Sequence, residues 1–192
     1  MLTHGGDGNQ LGAERRVPLF SLIAGYRYRS PAVLDGDGGP ASPVGIELLE
    51  RPEELIGLPG TRVPHLWVEQ HGQRLSTLDL LDGRFVLLVG PAGTPWREAA
   101  PGVAGSLGVD LAAYRLGADL LDPEDGWPAR MGMSAEGAVL VRPDGFVGWR
   151  TSALPDRPGR RLEQVLSSVL GLAPAGRPLR PAGAATPAPS GR

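Results

Sequence analysis

Cysteine is absent from the 192-residue chain. That absence removes disulfides, thiolate nucleophiles, Cys-x-x-Cys redox motifs and cysteine metal sites together. Lysine is absent too: all 19 basic residues are arginine, which rules out a reactive lysine. Histidine occurs only at His4, His65 and His71, a set that argues against a histidine-based metal site. No apolar run approaches the roughly 20 residues needed to cross a bilayer. Residues 1–10 are polar and glycine-rich, without the apolar core of a signal peptide. A soluble cytoplasmic protein is the expectation, with no membrane partner. A net charge of −2 and a pI near 5.9 leave no basic surface for nucleic acid.

What is present is enough for one core. Hydrophobic residues make up 41% of the chain, which excludes global disorder and implies one domain with appendages, or at most two small domains. Residues 1–16 read as a flexible N-terminus. Their glycine cluster misses a dinucleotide-binding fingerprint because no strand precedes it and Leu11 stands where the last glycine belongs. Residues 17–83 read as an extension. Within it Tyr26, Arg27, Tyr28 and Arg29 alternate with the period of a half-buried strand. That strand is either an edge with its arginines in solvent or a docking strand whose arginines meet acidic groups on a partner. A loop follows over 35–43, then a short acidic helix over 46–58 that Pro59-Gly60 turns.

Residues 62–69, including Arg62, His65 and Trp67, are expected to form a strand turned at Gly72. Residues 75–81 are expected to form a helical turn capped by Ser76 or Thr77, with Asp79 in its first turn. His65 follows a proline and has no serine or carboxylate beside it in sequence. It reads as a structural hydrogen-bonding group and not as a general base.

From residue 84 the pattern becomes regular. Arg84–Gly90 is a continuous apolar strand ending in glycine, of the kind covered on both faces. A helix is expected over 96–107, bent at Pro101, followed by a strand over 109–116 and a helical stretch over 127–131. Ala138–Val141 and Phe146–Trp149 then form a hairpin around Arg142-Pro143-Asp144-Gly145, with proline pre-set at the second turn position and glycine at the exit. Leu162, Val165, Leu166, Val169 and Leu170 make one apolar stripe of a helix over 160–172. Residues 173–192, rich in Ala, Pro, Gly and Arg, read as a disordered tail.

The order β-α-β-α-β-β-α over 84–172 is that of a thioredoxin-like α/β domain, a mixed central sheet flanked by helices. Redox members place a low-pKa cysteine in the loop after the first central strand. Here that loop is Gly90-Pro91-Ala92-Gly93-Thr94-Pro95-Trp96, with no thiol, and Thr94 is a poor nucleophile without a base beside it. No proline immediately precedes the third strand, where Met133-Ser134-Ala135 stands. Thiol oxidoreductase and peroxidase action are therefore not expected.

Five phrases carry a family resemblance: Gly25-Tyr26-Arg27-Tyr28-Arg29-Ser30-Pro31-Ala32-Val33, Pro59-Gly60-Thr61-Arg62-Val63-Pro64-His65-Leu66-Trp67, Leu75-Ser76-Thr77-Leu78-Asp79-Leu80, Phe85-Val86-Leu87-Leu88, and the hairpin from Gly137 to Arg150. In order and spacing, over residues 25–172, the chain resembles the C-terminal thioredoxin-like region of FAD-dependent aromatic hydroxylases that act on polyketides and phenols. The resemblance implies a full-length enzyme using FAD and NADPH, in which this region is a non-catalytic appendage. It further implies that this chain binds no cofactor alone and serves as an interaction module, its partner a flavin hydroxylase domain or a second copy. A truncated remnant or a contributing monooxygenase subunit are the alternatives. No catalytic, cofactor or metal residue is assigned; Tyr26, Arg27, Tyr28, Arg29, Arg62, His65 and Trp67 are the docking or motif candidates.

Overall fold

Phe85–Val89 is the strand on which the other elements assemble. The computed structural model describes Arg27, residues 30–34 and residues 57–172. The expected N-terminal and C-terminal tails, the loop over 35–43 and most of the acidic helix lie outside those residues, as do Tyr26, Tyr28 and Arg29.

In chain order the elements are β1 Trp67–Gln70, β2 Gln73–Ser76, β3 Phe85–Val89, α1 Thr94–Leu107, β4 Leu111–Arg115, α2 Trp127–Met131, β5 Ala138–Val141, β6 Val147–Thr151 and α3 Pro158–Val169. β1 and β2 form an antiparallel hairpin; the other four strands form a mixed sheet in the order β4-β3-β5-β6. β4 runs parallel to β3, while β5 runs antiparallel to both β3 and β6. This is the expected mixed sheet flanked by helices. No helix among the described residues is long and apolar enough to cross a membrane.

The strand period of two divides the core into two layers. Leu87, Val89, Ala138, Leu140 and Trp149 point to one face, where Trp96, Ala100 and Val103 of α1 and Leu162, Val165, Leu166 and Val169 of α3 cover them. Val86, Leu88, Val139, Val141 and Val147 point to the other. There Trp127 and Met131 of α2 pack beside Val63, Leu66, Val68 and Leu80 from the segment before β3. The four buried α3 side chains alone contribute roughly 1.5–3 kcal/mol each in gross burial, which fixes the helix on the sheet.

Residues 60–63 close the open side of β6. Gly60 N donates to Val147 O, Val147 N to Thr61 O, and Val63 N to Gly145 O, at 2.8, 2.8 and 2.9 Å. Leu34 N donates to Gly148 O at 2.8 Å further along the same strand. An edge that would otherwise present unpaired backbone groups is thereby covered.

The structure differs from expectation in three places. The strand expected over 62–69 is regular only from Trp67; Arg62 makes an isolated bridge to Phe146, and Pro64 between them has no N–H to donate to a ladder. The helical turn expected at 75–81 is instead the end of β2 followed by turns. The cap chemistry is present without the helix: Ser76 N donates to Asp79 Oδ2 at 2.8 Å, and Leu78 N to Ser76 Oγ at 3.1 Å. Pairing of Gln73–Ser76 with Trp67–Gln70 holds this backbone extended up to the turn. Finally, α1 and α3 start at Thr94 and Pro158, two residues ahead of their expected positions. Pro95 and Pro158 suit a first helical turn, where a missing N–H costs nothing.

Candidate functional site

His65 and Trp67 come together on the outer face of the β1–β2 hairpin. Val68 turns inward and is fully buried, so Trp67 points out with 40% of its surface exposed. The His65 ring meets it edge-on at 4.8 Å, and the Arg74 guanidinium lies 4.5 Å from its centroid on a diagonal across the hairpin. Arg74 is held in turn by Glu124 at 2.8 Å. Leu78 and Leu121 are also large apolar side chains left exposed, at 46% and 51%. Leu121 belongs to the same region, since its backbone exchanges two 2.9 Å hydrogen bonds with Glu69 of β1.

His65 has the serine partner that its sequence neighbours do not supply: Nδ1 lies 2.7 Å from Ser76 Oγ. The pair is poorly suited to nucleophilic catalysis. Ser76 is 8% exposed, and its Oγ also accepts the Leu78 N–H. Asp79 accepts from the Ser76 backbone and not from the imidazole, so the orienting third member of a triad is missing among the described residues. Beside it, buried Thr77 joins the two segments by donating Oγ1–H to Pro64 O at 2.7 Å and accepting Leu66 N–H at 3.1 Å.

The other candidates stand apart from this face. Arg62 lies over the Phe146 ring at 4.8 Å, and its Nη1 donates to Asp144 O at 3.4 Å. Arg27 Nε donates to Pro59 O at 3.2 Å. Burial, and then the nearby positive charge of Arg27, push the Arg150 guanidinium down from its ordinary value. Arg150 Nη1 donates to Met131 O at 3.2 Å, which ties β6 to the end of α2.

A second feature was not legible as a site in the sequence. At the carboxyl ends of β3 and β4 a cleft of about 440 Å³ is bounded by Pro91, Leu116, Leu121, Trp127, Pro128 and Met133, with Asp122, Asp125 and Ser134 among its polar groups. Three loops distant in sequence meet there. Gly90 N donates to Gly137 O at 3.0 Å and Ala92 N to Ala135 O at 2.8 Å, which binds the loop after β3 to the one before β5. Asp122 Oδ2 accepts the Trp127 N–H at 2.8 Å and so starts α2.

Asp119 fastens the third loop. Its carboxylate is gripped by Arg97 Nε and Nη2 of α1 at 2.5 and 2.8 Å, and accepts the Arg115 N–H at 2.8 Å. Burial pushes this carboxyl up, but the Arg97 hydrogen bonds, the Arg115 N–H and the charges of both arginines outweigh it and hold it below its ordinary value. A lowered carboxyl contributes stability that is complete above its unfolded value and disappears as pH falls through the folded one. Asp119→Asn is therefore expected to lower stability near neutral pH by on the order of 1 kcal/mol, since Arg97 is half exposed and solvent screens the pair. The melting curves of the two proteins should converge in acid; a gap that persists unchanged at acid pH would show that the carboxylate charge is not responsible.

Among the described residues, neither the start of α1 nor the adjoining cleft suits a flavin pyrophosphate. α1 starts at Thr94 after the N-cap residue Gly93, without a side-chain cap and with a proline in its first turn, which removes an N–H from any phosphate cradle there. The only carboxylates on the adjoining cleft, Asp122 and Asp125, would repel a pyrophosphate.

Known proteins agree on what this fold is. A profile of the C-terminal domain of aromatic-ring hydroxylases matches residues 56–173. Aklavinone 12-hydroxylase RdmE of Streptomyces purpurascens is 46% identical over 157 residues, which cover 82% of this chain and 28% of that protein. Phenol 2-monooxygenase of a Pseudomonas strain is 35% identical over 176 residues, covering 81% and 28%. Among solved structures, aklavinone-11 hydroxylase in a ternary complex with FAD and aklavinone superposes with a TM-score of 0.74 at 43% identity, over 81% of this chain and 28% of that one. The chain thus spans little more than a quarter of the length of these relatives. With most of its length matched by that profile, the chain belongs to the family of aromatic-ring hydroxylase C-terminal domains.

Proposed function

We propose that this chain is an accessory, non-catalytic module that docks onto the flavin-binding body of an aromatic-ring hydroxylase in the cytoplasm. The observation that carries this reading is coverage: relatives 46% and 35% identical contain this region as only 28% of their length. A domain shaped as part of a larger enzyme has a surface suited to the remainder. FAD and NADPH would then be handled by the partner's chain. The strand order β4-β3-β5-β6 supports a thioredoxin-like layout, here without a cysteine to carry redox chemistry.

The face built from Trp67, His65 and Arg74 is the best docking candidate. It presents a partly exposed tryptophan in contact with an imidazole and a guanidinium, and tryptophan and arginine are the residue types that dominate binding hot spots. The test mixes the purified chain with a flavin hydroxylase lacking its own C-terminal domain and follows the mass of the complex by analytical ultracentrifugation. A complex is expected, weakened about 30-fold or more by Trp67→Ala, as for a hot spot of about 2 kcal/mol. Thermal stability should fall by less than for a core tryptophan, because 40% of the residue is already exposed. Absence of a complex would favour a remnant, and mass growth of the chain alone would favour a homodimer.

A further inference from the structure

The geometry points to the cleft at the carboxyl ends of β3 and β4 as a binding site for a small apolar amine, a flat hydrocarbon body carrying one protonated nitrogen. This inference does not rest on the docking reading. Its basis is the topology of the sheet. Neighbouring parallel strands β3 and β4 send their chains to opposite faces: the α1 side chains Trp96, Ala100 and Val103 join one core layer, and Trp127 and Met131 of α2 join the other. Where connections part in this way, a crevice opens beyond the carboxyl ends of the strands, and open α/β sheets bind ligands there. The loop running into β5 supplies the third wall, because β5 is antiparallel and starts at that end.

The lining defines the ligand. About 440 Å³ falls in the range of small-molecule sites, and the body of the cleft is Pro91, Leu116, Leu121, Trp127, Pro128 and Met133. Its charged lining residues are the acids Asp122 and Asp125, with no arginine or histidine among them. Asp122 is held in place because Oδ2 accepts the Trp127 N–H at 2.8 Å. Asp125 is set by a left-handed backbone, φ 49°, and by its own N–H bonding Asp122 O at 3.3 Å. Apolar walls whose own charged residues are carboxylates favour a cation on a hydrophobic body and disfavour the matching anion, with Arg115 outside the lining and its Nη1 donating to Pro91 O at 2.8 Å.

The test titrates the full chain with 1-naphthylmethylamine and, separately, with 1-naphthoic acid, reading amide and indole shifts by ¹H–¹⁵N NMR. For the amine, saturable shifts are expected at Leu116, Gly117, Asp122, Trp127 and Ser134, with a dissociation constant of about 1 mM or tighter for a fragment of this size. The acid should bind at least about tenfold more weakly. The double variant Asp122→Asn and Asp125→Asn keeps a carbonyl acceptor for Trp127 N–H and should erase the preference. Equal binding of amine and acid to the native chain, no saturable shift at these residues, or a preference that survives in a folded double variant would each overturn the inference. Should the double variant fail to fold, the amine-to-acid comparison on the native chain decides alone.

Discussion

Trp149→Ala is expected to destabilise the fold by about 3–5 kcal/mol, the range for truncating a buried aromatic to alanine. Trp149 is fully buried at the centre of the layer shared by α1, α3 and the sheet. Its ring meets Trp96 edge-on at 5.5 Å and 68°, an arrangement that adds to simple burial. Neighbours on both helices and on β5 define the hole, so collapse into it would require two helices to shift together. Against a total stability of typically 5–15 kcal/mol, the loss is a large share. Equilibrium urea unfolding followed by circular dichroism measures it; a loss below about 1 kcal/mol would show that the layer is loosely packed.

Gly90→Ala should cost about 3 kcal/mol, the upper end for forcing atoms into a packed interior. A Cβ at Gly90 would lie 2.3 Å from Ala135 O and 2.5 Å from Ser134 O. Both are backbone atoms that cannot swing aside, and the loops they belong to are joined by the Gly90–Gly137 and Ala92–Ala135 hydrogen bonds. Gly102 and Gly105 of α1 supply the control: nothing lies within 4 Å of a Cβ there. Alanine at those two helical sites should stabilise by about 0.5–1 kcal/mol each. Thermal melts of the three single variants settle the matter. Equal behaviour at Gly90 and Gly102 would refute close approach as the reason for glycine at Gly90.

Much of this was readable in the sequence where the signal was local. β3 is an unbroken apolar strand, the β5–β6 hairpin has its proline and glycine in the demanded turn positions, and α3 carries a full apolar stripe. The β1–β2 hairpin was half missed for a physical reason. Gln73-Arg74-Leu75-Ser76 has a single apolar residue, so its sequence shows no hydrophobic alternation even though Leu75 is half-buried and Ser76 buried. Its turn relies on His71 at φ 52° ahead of Gly72 at φ 77°, a pair of positive angles suited to a tight hairpin but uncommon at histidine. The Ser76–Asp79 cap then imitated a helix start. The cleft could not be read at all, because its walls come from segments near 91, 116–128 and 133–135 that only the sheet topology assembles.

The segment that closes β6 bears on how the chain reaches this structure. Arg62 and Asp144, which meet across that closure, are 82 residues apart in sequence. Forming such a contact means closing a long loop before any gain is returned, and folds governed by distant pairings of this kind fold slowly. The hairpin of β5 and β6 is local and can form early. Its outer edge is covered only when a segment from much earlier in the chain docks on it. A fragment beginning at residue 84 would keep every strand of the four-stranded sheet and still lack its edge cover, along with Val63, Leu66, Val68 and Leu80 of the second layer. The contacts that complete this sheet therefore come from residues well before its first strand.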